Sequence, residues 1–158
     1  MGPDPAGQTL SGGRGTDLTY GRMAALARAY GKKLEGLGIP RQTVLIVRQE
    51  PADQLAAFLG AEQAGWVPVL GHPDLSPEGA EELARVRQIG WIDDGTLWPG
   101  CGDAPVPAPE WCMGVLSSGS TGLPKLMFRT YGSWGISFRN RTGNSRWTGI
   151  PWALRKAA

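Results

Sequence analysis

The residues best suited to chemistry lie together in one short stretch: Ser117, Ser118, Gly119, Ser120, Thr121 and Gly122, then Leu123, Pro124 and Lys125. The two glycines lack a Cβ, so the backbone there can take positive φ, approach a ligand closely and turn several N–H groups the same way. Four hydroxyls add donors, and Lys125 adds a formal positive charge with three more. The guest that matches this set is a polyphosphate. Hydrogen bonds to a charged group are worth roughly 1.5 to 3 kcal/mol each, so a few acting together suffice to hold pyrophosphate or the tail of ATP.

Two familiar phosphate loops do not fit the spacing. A Walker A loop needs Gly, four residues, then Gly-Lys-Ser/Thr opening directly into a helix. Here Pro124 precedes the lysine and an apolar run, Leu126 to Phe128, follows it. The G-x-G-x-x-G dinucleotide fingerprint likewise lies at a strand-to-helix turn. With Met113 to Leu116 on one side and Leu126 to Phe128 on the other, the stretch reads as strand, loop, strand, with the polar chemistry at the tip.

Other chemistry-bearing residues have plainer readings. His72, the single histidine, sits beside Pro73 and Asp74 as a turn residue with no nucleophile paired to it. Asp93 and Asp94, followed by Gly95, read as an Asp-Gly turn rather than as a metal or acid/base pair. Cys101 and Cys112 have neither metal-ligand nor redox spacing and read as reduced thiols. Lys125 is different, because an ammonium between Pro124 and an apolar run is poorly placed for solubility alone. It reads as a phosphate contact.

The elements that must position the loop can be read from periodicity. Met23, Leu26, Ala27, Tyr30 and Leu34 mark a helix capped by Asp17 or Thr19 and ended by Gly36 and Gly38. Thr43 to Val47 is a β-branched run of the kind buried on both faces of a sheet. Leu55, Phe58, Leu59 and Glu62 lie along a second helix stopped by Gly65, before a strand from Trp66 to Leu70. Ser76, Pro77 and Glu78 open a third helix with a capping hydroxyl, proline at the first turn and an acid at the positive end of the dipole. Its buried face is Leu83, Val86 and Ile89, its exit Gly90, and Trp91 and Ile92 begin another strand. Trp98 to Glu110, rich in proline, reads as a loop. Alternating strands and helices predict an α/β fold: a partial parallel sheet with flanking helices, and the polar loop in an antiparallel strand pair at its margin.

The run SSGSTGLPK resembles the phosphate-binding loop of the adenylate-forming (AMP-binding) superfamily, which comprises acyl-CoA synthetases, luciferases and the adenylation domains of peptide synthetases. The usual form there is S-G-S/T-T-G-x-P-K, matched by Ser118 to Gly122, Pro124 and Lys125. Leu126 stands where the family commonly has glycine, which leaves the phosphate donors in place. Upstream, Leu18-Thr19-Tyr20, the turn Glu62 to Gly65 and Val67-Pro68 resemble the opening segments of the same fold in the same order. The resemblance covers about residues 17–134 and implies the N-terminal subdomain of such an enzyme.

What the resemblance implies about activity is specific. The family activates a carboxylic acid with ATP and Mg²⁺ to an acyl-adenylate and pyrophosphate, then transfers the acyl group to a thiol such as coenzyme A. By resemblance Ser117, Ser118, Gly119, Ser120, Thr121, Gly122 and Lys125 bind the phosphates, Lys125 being also the catalytic residue, and the acid binds in a full-length relative. The family's later segments for nucleotide, metal, ribose and catalytic lysine are not found after Thr130. The expectation is therefore a truncated AMP-dependent synthetase/ligase, with two alternatives: a phosphate- or nucleotide-binding fragment without catalysis, or an interaction module.

That last alternative rests on the end of the chain. Residues 1–16, rich in glycine, read as a flexible lead-in, and 17–134 as the AMP-binding portion. Residues 135–158 read as an irregular basic tail, carrying Arg139, Arg141, Arg146, Arg155 and Lys156 with no acid, and as a non-native continuation. Tryptophans in it could stack on single-stranded nucleic acid, but a net charge of +2 for the whole chain does not ask for such a partner. No apolar segment resembles a signal peptide or a membrane span, so a cytoplasmic protein is expected.

Overall fold

Apolar runs alternating with capped helices fold as an α/β sheet in the computed structural model of the chain, which describes residues 9–10, 18–118 and 122–133. β1 (Thr9–Leu10) pairs antiparallel with β2 (Leu18–Thr19), which leads straight into α1 (Tyr20–Glu35). Thr19 caps that helix, its hydroxyl accepting from the Arg22 N–H, and Gly36 ends it. Then come β3 (Thr43–Ile46), α2 (Pro51–Gln63), β4 (Val67–Leu70), α3 (Pro77–Arg87), β5 (Trp91–Asp93), β6 (Leu97–Pro99), β7 (Trp111–Ser117) and β8 (Lys125–Thr130).

Six of these strands form one sheet in the order β6-β5-β3-β4-β7-β8. The four central strands run parallel, with Val44 opposite both Pro68 and Trp91, and Val69 opposite Gly114. β6 and β8 close the two edges antiparallel. The parallel centre and the antiparallel pair at the margin are as the sequence predicts. β3 is buried at all four positions, as its β-branched composition requires for a strand covered on both sides.

Two apolar cores lie on the opposite faces of the sheet. One gathers Tyr30 and Leu34 of α1 and Ala57 and Ala61 of α2 over Val44, Ile46 and Trp66. The other gathers Ala80, Leu83 and Ala84 of α3 over Leu45, Val69, Ile89 and Ile92. Alternate residues of β3 thus serve opposite cores. No helix among the described residues is long and apolar enough to cross a membrane.

Several expectations need correction. Trp98 and Pro99, read as the start of a loop, belong to β6, where Trp98 faces Ile92 and Pro99 faces Trp91. The Asp94-Gly95 turn, with Gly95 at φ +116, folds the chain back, and an edge strand tolerates a proline with no N–H to give. Thr9–Leu10 form a strand inside the segment read as a flexible lead-in. The third helix ends not at Gly90 but at Gln88, which takes the left-handed conformation at φ 54. Leu26 and Val86, expected to face inward, are exposed, and so is Leu55 of α2. The basic tail, 135–158, lies outside the described residues.

The reason for the exposed leucines is the small-residue seam between α1 and α2. The buried stripe of α2 is Ala56, Ala57, Gly60 and Ala61, which pushes the bulkier side chains to the rim. A Cβ built at Gly60 would lie 2.3 Å from the Ala27 carbonyl oxygen and 2.9 Å from the Tyr30 Cβ. Backbone cannot yield as a flexible side chain can. Gly60→Ala is therefore expected to cost about 1 to 3 kcal/mol, despite the better helix propensity of alanine. A urea midpoint equal to or above that of the parent chain would refute the close-contact account.

Candidate functional site

The β7–β8 pairing fixes the geometry of the candidate loop. Leu116 lies opposite Leu126 and Ser117 opposite Lys125, so the last hydroxyl of one strand and the first cation of the next share a rung. Ser117 is half-buried, while Ser118, Gly122 and Lys125 are exposed, and Gly122 sits at φ +94. An L side chain there would be strained, so glycine is what the turn requires. Gly119, Ser120 and Thr121 lie outside the described residues.

Packing at the foot of the hairpin holds it to the sheet. Gly114 faces Val69 of β4, and a Cβ there would come within 2.7 Å of Val69 Cγ2 and 2.8 Å of Leu126 Cδ1. The missing side chain lets β7 lie against β4. Further down, Trp111 and Phe128 stack with centroids 3.9 Å apart and planes 5° from parallel. The Tyr131 hydroxyl donates to Glu62 at the end of α2. Burial, then the neighbouring Glu62, raises the Tyr131 phenol well above its ordinary range, so it stays a donor at neutral pH.

Beside the loop opens a cleft of about 410 Å³, floored by Leu83 and Leu116 and rimmed by Gly71, His72, Ser117, Ser118 and Pro124. It lies at the carboxyl ends of β4 and β7. The chain leaves β3 for α2 on one face and β4 for α3 on the other, and the cleft lies one strand over from that switch point, lined by the β4–α3 connection, Leu83 of α3 and the end of β7. Gly71 is pinned there from both sides, its N–H donating to the Ile46 carbonyl at 2.9 Å and its carbonyl accepting from Gln54 Nε2 at 2.9 Å. His72 keeps the turn role read from the sequence, its Nδ1 accepting from the Asp74 N–H at 3.2 Å. The fold adds what the sequence did not disclose: His72 shares the cleft with Ser117 and Ser118.

Asp93 and Asp94 both take part in the turn read from the sequence, the Asp93 carboxylate accepting from the Gly95 N–H at 3.2 Å and that of Asp94 from the Thr96 N–H at 3.1 Å. Asp93 does more than turn the chain. It ends β5 with a fully buried side chain gripped by Arg48, whose Nη2 donates to both carboxylate oxygens at 2.8 Å and whose Nε donates at 3.2 Å. Burial, and then the charge of Asp93, drives the Tyr30 phenol upward as well. The Cys112 thiol is buried against the Arg129 carbonyl, and burial raises it too, as suits an unreactive thiol.

Three arginines escaped the sequence reading. Besides Arg48, Arg41 donates to the carbonyls of Ala108 and Trp111, fixing the entry to β7. Arg87, the last residue of α3, donates from Nε to the Pro124 carbonyl at 2.8 Å and from Nη2 to the Leu123 carbonyl at 3.1 Å. Its partners lie well over thirty residues along the chain, and no local pattern could have named them.

Solved structures similar in fold to this chain include adenylate-forming enzymes. The anthranilate CoA ligase AuaEII in complex with anthranoyl-AMP matches with a TM-score of 0.63 and 19% identity, over 85% of this chain and 34% of that one. VinN with 3-methylaspartate matches at 0.59 and 19%, over 83% and 46%. O-succinylbenzoate coenzyme A synthetase (MenE) from Bacillus subtilis, in complex with AMP, matches at 0.55 and 16%, over 82% and 41%. The chain thus spans between a third and a half of the length of these structures, and has the fold of their N-terminal portion. No protein-family model matches the chain, and no curated protein matches it by sequence.

Proposed function

We propose that the loop between β7 and β8 binds the phosphates of ATP or pyrophosphate, as part of an adenylate-forming ligase that activates a carboxylic acid. The observation that carries this reading is the rung that sets Ser117 opposite Lys125, with Gly122 at φ +94 between them and a cleft beside them at the strand ends. Ser117, Ser118, Gly119, Ser120, Thr121 and Gly122 supply hydroxyl and backbone donors, and Lys125 supplies the cation. The similar structures of AuaEII in complex with anthranoyl-AMP and MenE in complex with AMP support the same ligand class.

The donor set fits a polyphosphate, since every polar side chain of the loop can donate and none is an acid. In the ligase reaction the acid's carboxylate oxygen attacks the α-phosphorus and the bond to the β,γ-diphosphate breaks. Negative charge grows on the leaving pyrophosphate, and fixed donors aimed there stabilise the transition state more than the ground state. Mg²⁺, when bound, neutralises phosphate charge. Mg²⁺ commonly keeps its waters and is held largely by substrate phosphates, so it would arrive with the nucleotide; among the described residues no three of His, Cys, Asp and Glu gather into a metal site. The acid and a thiol acceptor such as coenzyme A belong to the whole-ligase reading.

The test is titration of the 158-residue chain with pyrophosphate and with ATP, followed by NMR shifts in the 117–126 segment. Saturable shifts confined to that segment, weakening as salt rises, are the expected result. Shifts that do not saturate, or that saturate elsewhere, would remove the phosphate-loop assignment.

A further inference from the structure

We infer that Arg87 is the positioning residue of this loop, a guanidinium clamp that fixes the outgoing arm so that Lys125 enters β8 on the rung of Ser117. The inference rests on the phosphate-loop reading for its functional meaning, though not for its geometry.

The need for a clamp follows from the sequence. Pro124 has no N–H to give, and the β7–β8 ladder starts only at Lys125, so Leu123 and Pro124 lie outside it. Their carbonyls would be left without a partner just where the loop must meet the strand. Arg87 answers both, Nε on Pro124 and Nη2 on Leu123, through the fork geometry that lysine lacks.

The clamp also stands on a rigid base. α3 is anchored in the core by Ala80, Leu83 and Ala84, and Leu116 and Leu126 of the hairpin pack against that same core. Gln88 turns left-handed at φ 54 immediately afterwards, so Arg87 occupies the last helical position before the chain departs. The arm from Leu123 to Lys125 is thus tied once to a helix and once to a strand.

Arg87 touches no phosphate in this account. It acts through Leu123 and Pro124, holding the backbone from which Lys125 projects.

The test compares Arg87→Ala and Arg87→Lys with the parent chain by amide hydrogen exchange and by pyrophosphate titration. In Arg87→Ala, exchange in peptides spanning 117–128 should quicken at least about tenfold while peptides from β3 and α1 keep their protection and the melting temperature stays put. Pyrophosphate affinity should fall about tenfold, and Arg87→Lys should recover only part of it. Unchanged exchange in 117–128 would overturn the clamp. So would a loss of protection spread evenly through the core, which marks a general structural role. Loosened exchange with intact pyrophosphate affinity would also overturn it, while leaving the phosphate reading standing. Loosened exchange in a chain that takes no pyrophosphate even as wild type would keep the clamp and sink the phosphate reading instead.

Discussion

Asp93→Ala is expected to remove about 3 to 5 kcal/mol of stability, a large share of the roughly 5 to 15 kcal/mol that holds an ordinary domain folded. The carboxylate is fully buried and accepts from Arg48 at 2.8 Å on each oxygen and from the Gly95 N–H at 3.2 Å. Alanine takes away the anion but not the cation. Arg48, whose side chain is only 22% exposed, would then keep a charge in a place built for a pair. The strand end where β5 turns into β6 would lose its acceptor at the same moment. Asp93→Asn keeps the shape and one acceptor oxygen and should cost less. Arg48→Met combined with Asp93→Ala should recover part of the loss, since an apolar pair leaves no uncompensated charge. Urea unfolding decides the matter: a drop under about 1 kcal/mol for Asp93→Ala would mean that the pair is solvated and that the buried-ion-pair account is wrong.

How much of this molecule can be read from its sequence follows from what local patterns record. Thr19 and Ser76 cap the helices predicted for them, their hydroxyls accepting from Arg22 and Gly79. The β-branched run from Thr43 and the two apolar runs flanking the loop become the strands they suggest. In each case the signal lies within a few residues of its effect. Arg48 and Asp93, 45 residues apart, give no such signal, and Asp93 beside Asp94-Gly95 looked like one more turn residue. Arg87 reads as a basic residue in a helix's last turn, favourable for the dipole and otherwise plain.

The small-residue seam of α1 and α2 is a subtler failure. Periodicity finds the largest apolar residues and assumes that they face inward, but Gly60, packed against the Ala27 carbonyl, turns Ala56, Ala57 and Ala61 to the seam and leaves Leu55 outside. A helix pair that approaches closely selects for small size at the contact. Hydrophobicity alone cannot reveal that choice, because it depends on the partner helix.

Lys125→Ala is expected to lower adenylation by about 10² to 10³-fold when residues 18–133 stand in for the corresponding portion of a full-length adenylate-forming ligase. The ammonium starts β8 opposite Ser117, exposed to the solvent from which a nucleotide would arrive. An exposed first residue of an edge strand carries little of the fold, so its loss should change stability by no more than about 0.5 kcal/mol. The magnitude follows from where the charge is needed. A cation that met the phosphates equally in ground and transition states would alter KM and leave kcat unchanged, whereas one aimed at the departing pyrophosphate alters kcat. Lys125→Arg separates charge from shape: it keeps the cation but spreads it over a planar fork, so partial activity is expected. Pre-steady-state measurement of acyl-adenylate formation gives the rate directly. An unchanged rate in Lys125→Ala, with a folded chimera, would make Lys125 an ordinary solvated residue and leave the loop's hydroxyls and backbone N–H groups to hold the phosphates alone.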